Sequence, residues 1–309
     1  MPLDRLLRHL IAWQSSDGVP VPDRELPVDR ARERYLVNAV RPLSDADRRG
    51  PVVVAEDRLT DGPDGTALRL RVYTPQPAER AGTRVVTYLH GGGWVMGDLD
   101  SHDRACRILA ASLGAVVVAV DYRRAPESPY PAPLHDATAA ARWTARAFPG
   151  RAHVIAGDSA GASLALGTAL RARDLGFAAQ LLIYPPVDPS LALVSSSPHA
   201  EGYLLTAEDM AWNYAQYVPD ARQRADTAVD LLNADLRGLA PTVVATAEYD
   251  PLHEEGAELV ARMQAAGVDA RLVTGEGLVH GFLLMQDIVP AAAACTERVV
   301  KELDALLGP

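Results

Sequence analysis

The fold is decided by one short segment, AHVIAGDSAG, which spans residues 152–161. Its apolar first half is typical of a buried strand, and the residues that follow, ASLALGTALRARDLG, are predicted to form a helix. At the junction, Gly157 to Gly161 match the pattern G-x-S-x-G. A sharp strand-to-helix turn strains the serine backbone, and only small flanking residues let the two elements approach each other. The segment predicts that Ser159 is a nucleophile presented above a sheet; a serine that merely caps the helix is the alternative.

Strands alternate with helices on both sides of this segment. Short apolar runs separated by predicted helices are the pattern of βαβ units. Before them, VVVAEDRLT and TALRLRVYTP flank the turn signal DGPDG and predict a β-hairpin. We therefore predict the α/β class, with a mostly parallel central sheet and helices on both of its faces. The other predicted strands are RVVTYLH (84–90), AVVVAVDY (115–122), QLLIYPP (180–186), PTVVATAEYD (241–250) and ARLVTGEG (270–277).

Some stretches depart from this alternation. Residues 1–50 carry apolar side chains at helical spacing and precede the hairpin. Prolines between residues 126 and 133 predict an irregular chain until about Leu134, because proline interrupts a helix. The stretch between QLLIYPP and PTVVATAEYD is too long for a plain crossover, so we predict a lid there. Within it, LLTAEDMAWNYAQYV is a predicted helix, with Thr206 as its N-cap and Asp209 three residues on.

Two residues downstream of Ser159 can complete a catalytic triad. A serine hydroxyl is a weak nucleophile near neutral pH and needs a base that a carboxylate orients. Asp250 ends a predicted strand and His280 follows the next one by a few residues, which gives the chain order Ser, Asp, His of the α/β-hydrolases. His253 competes as the base, but it lies near the start of a predicted helix, where surface positions are common. Glu248 competes as the carboxylate, but it lies inside the alternating strand. We predict Asp250 and His280.

The glycines of HGGGW, at residues 90–94, directly follow the predicted strand RVVTYL. Acyl transfer builds negative charge on the carbonyl oxygen, and preorganised backbone N–H groups stabilise that charge. Glycines let the backbone come this close, as in the HGGG loops of lipases and esterases. We predict Gly91, Gly92 and Ala160 as the oxyanion donors. A phosphate-binding loop is the alternative, but neither G-x-G-x-x-G nor a following Lys-Ser/Thr pair is present.

Five motifs in one order carry a family resemblance: HGGGW (90–94), DYRRAPE (121–127), GDSAG (157–161), EYDPL (248–252) and HGF (280–282). Together they strongly resemble the hormone-sensitive-lipase-like branch of the α/β-hydrolases, the bacterial carboxylesterases of that group. The resemblance implies the α/β-hydrolase fold with a catalytic domain over residues 51–309. It implies a helical cap formed by residues 1–50 and by an insertion at about 188–230. It also implies the same triad and oxyanion donors, and no cofactor.

The chain departs from this family at two places. His253-Glu254-Glu255 stands where relatives often carry Arg-Asp-Glu, and Arg124 stands where an apolar residue is commoner. Asp250 and the three residues from His253 could be read as metal ligands. A triad acid followed by acidic residues at a helix N-terminus explains them better, so we predict no metal.

Several smaller features have a structural and a functional interpretation. His102-Asp103 and His135-Asp136 are predicted to be surface pairs or helix starts rather than a second catalytic site. Glu127 is predicted to hold the proline-rich loop through a salt bridge. Apolar residues in a lid belong to a core as often as to a pocket. With that alternative open, the candidates for substrate contacts are Trp94, Asp158, Tyr203 and Leu204.

The composition excludes several classes of protein. Hydrophobic residues at 48% and charged residues at 23% of 309 argue against a disordered, collagen-like or coiled-coil chain. Forty acidic against thirty basic residues give a net charge of −10, so we expect no nucleic-acid partner. Cys106 and Cys295 are too few for a disulfide framework. No stretch approaches about 20 apolar residues, so we expect no membrane span and a cytoplasmic location. A homodimer through the last strand and helix is an expectation by analogy.

The sequence thus predicts a serine carboxylic-ester hydrolase that works through an acyl-enzyme. The resemblance implies small ester substrates with short to medium acyl chains. Two alternatives stay open. A deacetylase or amidase acting on a specialised metabolite would use the same triad. A non-catalytic small-molecule receptor on the same fold would usually carry a broken triad, and here all three residue types are present.

Overall fold

The computed structural model describes residues 1–14, 22–40, 53–76 and 82–308. The intervening stretches, which include parts of the predicted N-terminal cap, lie outside the described residues. The described chain forms one eight-stranded sheet. Its strands are β1 (Val53–Asp61), β2 (Ala67–Pro75), β3 (Arg84–Leu89), β4 (Val116–Asp121), β5 (Ala152–Asp158), β6 (Ala179–Ile183), β7 (Thr242–Tyr249) and β8 (Ala270–Val279).

The sheet is mostly parallel, as predicted. Its order is β1-β2-β4-β3-β5-β6-β7-β8. The predicted hairpin is present as β1 and β2, which pair antiparallel, and β2 pairs antiparallel with β4. From β4 to β8 every neighbouring pair is parallel. The carboxyl ends of these strands therefore meet at one edge of the sheet, where Leu89 of β3 lies beside Gly157 of β5.

Helices cover both faces of this sheet. The α-helices are α1 (Arg5–Gln14), α2 (Val28–Val40), α3 (Asp103–Leu113), α4 (Ala132–Ala147), α5 (Ala160–Arg171), α6 (Ala192–Ser196), α7 (Ala207–Tyr217), α8 (His253–Ala265) and α9 (Pro290–Leu307). Short 3₁₀ segments lie at Asp23–Glu25, Arg173–Leu175, Ala221–Ala225, Leu231–Asn233 and Phe282–Met285. None of the helices among the described residues is long and apolar enough to cross a membrane.

The apolar core lies in two layers, one on each face of the sheet. Alternate residues of a strand point to opposite faces, and β4 shows this directly. Val116, Val118 and Val120 pack in one layer with α4, α5 and α8, while Val117 and Ala119 pack in the other with α3 and α9. Burial on both faces explains why the strands of this sequence are apolar runs rather than alternating patterns.

Two predicted boundaries are wrong. The chain was expected to stay irregular until about Leu134, but α4 begins at Ala132 and contains Pro133 in its first turn. Proline is tolerated there because the first helical N–H groups have no intrahelical partner. The last strand, predicted as short, runs for ten residues to Val279 despite its glycines. Its end pairs with Tyr249 after a register shift, so His280 follows the strand directly.

The N-terminal residues and the long insertion both reach the carboxyl edge of the sheet. In the first helical part, the Asp4 N–H donates to the Gly277 carbonyl next to the end of β8. The Arg24 guanidinium contacts Glu208 and Asp209 at the start of α7, at 2.7 Å each. The predicted N-cap of α7 is confirmed, because the Thr206 hydroxyl accepts from the Asp209 N–H and the Asp209 carboxylate accepts from the Thr206 N–H.

Candidate active site

Ser159 occupies the turn between β5 and α5. Its backbone has φ +51° and ψ −126°, which is the strained conformation expected of a serine in such a turn. The close approach of the helix to the neighbouring strand requires a glycine at Gly161, because a Cβ there would overlap the Leu89 carbonyl group. The strand, turn and helix predicted from the sequence are therefore all present.

His280 and Asp250 lie within hydrogen-bond distance in one chain of contacts with Ser159. The His280 Nε2 atom is 2.9 Å from Ser159 Oγ, and its Nδ1 atom is 2.7 Å from Asp250 Oδ2. Asp250 is fully buried, whereas the His280 side chain keeps 12% of its surface exposed. A carboxylate on Nδ1 fixes the tautomer in which Nε2 can accept a proton from the serine hydroxyl.

The two competing residues lie elsewhere. The Glu248 carboxylate accepts from the Gly277 N–H at 2.7 Å and from the N-terminal amine at 2.7 Å. His253 is the first residue of α8 and forms no hydrogen bond with Ser159 among those that the structure describes. The structure thus brings together the three side chains predicted as a triad and leaves both competitors outside it.

The glycine loop corrects one predicted donor. The Gly91 N–H donates to Asp158 Oδ1 at 2.9 Å, so it points away from any substrate carbonyl. The next two glycines are in a tight turn, with φ +113° at Gly92 and +61° at Gly93. Neither of their N–H groups, nor that of Ala160, has a hydrogen-bond partner among the described residues. The available donors are therefore those of Gly92, Gly93 and Ala160, and not that of Gly91.

Comparisons with known proteins agree with this geometry. A family model described as an alpha/beta hydrolase fold matches residues 86–284. The chain is 38% identical over 302 residues to carboxylesterase NlhH of Mycobacterium tuberculosis, covering 93% of this chain and 89% of that protein. It is 35% identical over 306 residues to ethyl acetate hydrolase of Pseudomonas putida, with 96% and 95% covered. A solved hyperthermophilic esterase from the archaeon Pyrobaculum calidifontis matches with a TM-score of 0.88 at 34% identity, over 99% of both chains.

The chain belongs to the hormone-sensitive-lipase-like esterases of the α/β-hydrolase fold. These relatives match almost the whole length of the chain, and each is named for ester hydrolysis. The chain is therefore an esterase. Within the described residues of this esterase, no group of three or more His, Cys, Asp and Glu side chains is arranged to hold a metal ion.

Two of the predicted substrate contacts of this esterase are buried. Asp158 is 2% exposed, and Tyr88, Gly91 and His102 surround its carboxylate. Trp94 is 1% exposed and its ring stacks on that of Tyr217 in α7, with centroids 4.5 Å apart. Both residues therefore support the site from behind rather than line a pocket.

The other two candidates for substrate contacts, Tyr203 and Leu204, keep part of their surface exposed to solvent. Tyr203 and Leu204 are half-buried and pack against the apolar layer that contains Phe282. The ring of Tyr203 lies 5.2 Å from that of Tyr249, at the end of β7. These two residues remain candidates for substrate contacts, because they combine partial exposure with a position near the carboxyl edge.

The predictions for the two His-Asp pairs are partly wrong, whereas the predicted salt bridge of Glu127 is confirmed. His102 is only 1% exposed and directly precedes α3, with its Nε2 atom 3.3 Å from Asp158 Oδ1. Asp136 is also buried, and its carboxylate accepts three hydrogen bonds from Arg123. Glu127 accepts two hydrogen bonds from Arg32 of α2, at 2.7 and 2.8 Å, and so holds the proline-rich loop as expected.

The sequence reasoning missed two residues around the site of this esterase. The ring of Tyr184 lies 4.5 Å from the ring of His280. Asn213 of α7 is 5% exposed and abuts the Cα of Gly93. Tyr184 lies in the predicted strand QLLIYPP, near its carboxyl end, and that position was a usable signal. Asn213 had none, because a polar residue in an amphipathic helix is ordinarily assigned to the solvent face.

Proposed function

We propose that this esterase hydrolyses small carboxylic esters through an acyl-enzyme on Ser159. The observation that carries the proposal is the chain of contacts from Ser159 Oγ to His280 Nε2 at 2.9 Å and from His280 Nδ1 to Asp250 Oδ2 at 2.7 Å. In the first half-reaction, Ser159 Oγ attacks the ester carbonyl while His280 accepts its proton, and Asp250 stabilises the imidazolium that forms. His280 then returns the proton to the departing alcohol.

In the second half-reaction water replaces the alcohol. His280 takes a proton from this water as it attacks the acyl carbonyl, and the proton passes to Ser159 Oγ when the acid leaves. Both tetrahedral intermediates carry a negative oxygen. We assign its stabilisation to the N–H groups of Gly92, Gly93 and Ala160, because these three have no other partner among the described residues.

We further propose that the substrates carry short to medium acyl chains and that a cap selects them. The cap comprises residues 1–50 and an insertion at about 188–230. Support comes from the contact of Arg24 with the start of α7, and from Arg32 of α2, which donates to the Val95 carbonyl beside the glycine loop. One relative is named for ethyl acetate, a short-chain ester.

Rates on p-nitrophenyl esters from acetate to laurate test this function, with Ser159→Ala as the blank. We expect the highest kcat/KM among the short and medium esters, and a loss of at least about 10⁴-fold in kcat for Ser159→Ala. A fluorophosphonate probe should label the wild type and not the variant. Equal labelling of the two proteins, or a faster rate on p-nitroacetanilide than on p-nitrophenyl acetate, would contradict the proposal.

A further inference from the structure

A buried carboxylate lies directly behind the triad and takes no part in the proposed chemistry. Asp158, the residue before Ser159, has its Oδ1 atom 2.6 Å from the Tyr88 hydroxyl and 2.9 Å from the Gly91 nitrogen, and both groups donate to it. His102 Nε2 lies 3.3 Å from the same oxygen. The Tyr184 hydroxyl is 3.4 Å from the other oxygen, Oδ2.

These contacts keep Asp158 ionised although it is buried. Burial raises the pKa of this carboxyl, but the nearby His102 imidazole and the hydrogen bond from the Tyr88 hydroxyl outweigh it and leave the pKa below its usual value. Burying a charge is costly unless it is paired and hydrogen-bonded. The partners that surround this buried charge therefore indicate a carboxylate with a defined task.

The first half of that task concerns the glycine loop. Asp158 ends β5, and the neighbouring strand β3 ends at Leu89, just before the loop. The hydrogen bond from Gly91 is thus made across two strand ends to the residue that precedes the nucleophile. Because the peptide plane of Gly91 is held, the positions of the Gly92 and Gly93 N–H groups are fixed relative to Ser159 Oγ.

The second half of this task concerns His280, the catalytic base. Tyr184, which follows β6, places its hydroxyl towards Asp158 Oδ2 and its ring 4.5 Å from that of His280. The same ring meets Phe282 edge-on at 5.2 Å. Asp158 is therefore in contact with the oxyanion loop on one side and, through one tyrosine, with the packing of the catalytic histidine on the other.

We propose that Asp158 is a positioning residue that fixes the oxyanion N–H groups of Gly92 and Gly93 relative to Ser159, with Tyr88 and His102 holding its carboxylate in place. The inference rests on the proposed function, since it assigns a task within that reaction. A residue of this kind acts on the transition state rather than on substrate binding, because the oxyanion exists only as the carbonyl is attacked.

The test compares Asp158→Asn and Asp158→Leu with the wild type on p-nitrophenyl butyrate. Asparagine keeps an acceptor for Gly91, and leucine does not. We expect kcat to fall about tenfold for the first variant and about 10² to 10³-fold for the second, with KM changed by less than about threefold. The inhibition constant of a trifluoromethyl ketone, whose hemiketal oxygen needs the same N–H groups, should rise by the factor by which kcat/KM falls.

The matched control is Asp136→Asn, since Asp136 is an equally buried carboxylate that accepts from Arg123 away from the triad. It should keep kcat and the inhibition constant of the wild type. If Asp158→Leu does not fold, Tyr88→Phe removes one donor to the same oxygen and should lower kcat and ketone affinity in parallel.

Wild-type kcat in folded Asp158→Asn and Tyr88→Phe would overturn the inference, and so would a loss of kcat without a loss of ketone affinity. Either result would leave the proposed function standing, provided that the wild type hydrolyses the ester. A wild type that neither hydrolyses esters nor binds the ketone would instead contradict the proposed function.

Discussion

The backbone conformation of individual residues determines the geometry of the active site in this esterase. Ser159 has a positive φ of 51°, a conformation that costs a residue with a side chain about 1–3 kcal/mol. Its neighbours enforce it, since the Ser159 N–H donates to the Ile183 carbonyl at 2.8 Å and its own carbonyl accepts from the Ala162 N–H at 2.9 Å. The strain is stored where it aims the hydroxyl at His280.

Gly93→Ala should inactivate the enzyme more than it unfolds it. The residue has φ +61°, and a Cβ at this position would overlap the Asn213 carboxamide. The loop must therefore shift, and with it an N–H group that we assign to the oxyanion. We expect kcat to fall at least about tenfold, measured on p-nitrophenyl butyrate, with little change in KM.

Gly65→Ala is the matched control for this variant. Gly65 has a similar φ of +72°, lies in the turn between β1 and β2, and has open space where a Cβ would be. It carries a similar conformational cost without the overlap and without touching the site, so it should lose some stability and keep wild-type kcat. Equal kcat in Gly93→Ala and Gly65→Ala would contradict the role of the loop.

The triad residues could be found from the sequence because each lies at a strand end, where a motif marks it. The prediction of Gly91 as a donor was wrong for a reason that no local pattern carries. Its N–H is taken by Asp158, a residue distant along the chain, and this contact arises only because β3 and β5 are neighbours. The same contact removed Asp158 from the list of substrate contacts.

Helix α7 is the element that joins the insertion to the catalytic loop. Its residues Tyr214 and Tyr217 lie against Trp94, with ring centroids 4.9 and 4.5 Å apart. Its N-terminus meets Arg24 from the N-terminal segment. Because α7 is held at both points, we expect a displacement of its N-terminus to move the residues that pack beside the glycine loop.

Thr206→Ala should destabilise the protein by about 1 kcal/mol, the usual effect of losing an N-cap side chain. The hydroxyl accepts from the Asp209 N–H at 3.1 Å, and an alanine side chain has no acceptor for this N–H. Urea denaturation followed by circular dichroism measures the change. Thr138→Ala is the control, because the Thr138 hydroxyl only bonds the Leu134 carbonyl within α4; a similar loss there would contradict a capping effect.

Helices and strands could be predicted from the sequence where the hydrophobic periodicity is clear, but their first and last residues were predicted less well. The pattern of LLTAEDMAWNYAQYV gave both α7 and its cap. The glycines at the end of β8 suggested an early stop, but pairing with β7 carries the strand on to Val279. Pro133 suggested a late start for α4, although the first turn of a helix accepts proline.

For the whole molecule, Glu255 couples stability to pH. This residue of α8 is fully buried, and its Oε2 atom accepts from the Val187 N–H at 2.6 Å and from the Asp188 N–H at 3.1 Å. Its other oxygen has no partner among the described residues. Burial raises its pKa to about 8, even though the two backbone donors oppose the shift. It therefore fastens the start of the insertion to the helix that follows Asp250.

The raised pKa makes the folded state less stable as pH rises. Between about pH 5 and 8 the folded protein keeps the proton on Glu255 while the unfolded chain has lost it, and stability falls by up to about 1.4 kcal/mol per pH unit. Above pH 8 both states are ionised at this group and the loss stays constant. Glu255→Gln cannot ionise, so it should gain stability relative to the wild type from pH 5 to 8.

Urea denaturation of both proteins at several pH values measures this difference. Other titrating groups contribute equally to the two proteins and cancel in the comparison. Glu254→Gln is the control, since Glu254 is the exposed neighbour on the same turn, and its difference from the wild type should not vary with pH. A pH-independent difference for Glu255→Gln would contradict burial as the cause.

For the whole molecule, the fold class and the order of elements could be predicted from the sequence, because apolar runs and glycine turns are local signals. It did not reveal Glu255, since an acidic residue in the first turn of a helix is ordinarily solvated. The dimer and the cytoplasmic location depend on surfaces and partners outside a single chain. Both stay predictions.

The base of this esterase is attached to the margin of the sheet. His280 follows β8, which pairs with β7 on one side and ends the strand order on the other. Sheet margins open locally at lower free energy than the centre does. Local unfolding of β8 would move the His280 imidazole away from Ser159, while the serine, which follows a central strand, stays in place. The rate of heat inactivation would then report the opening of β8, and the amide hydrogens of β8 should exchange at temperatures where activity is lost.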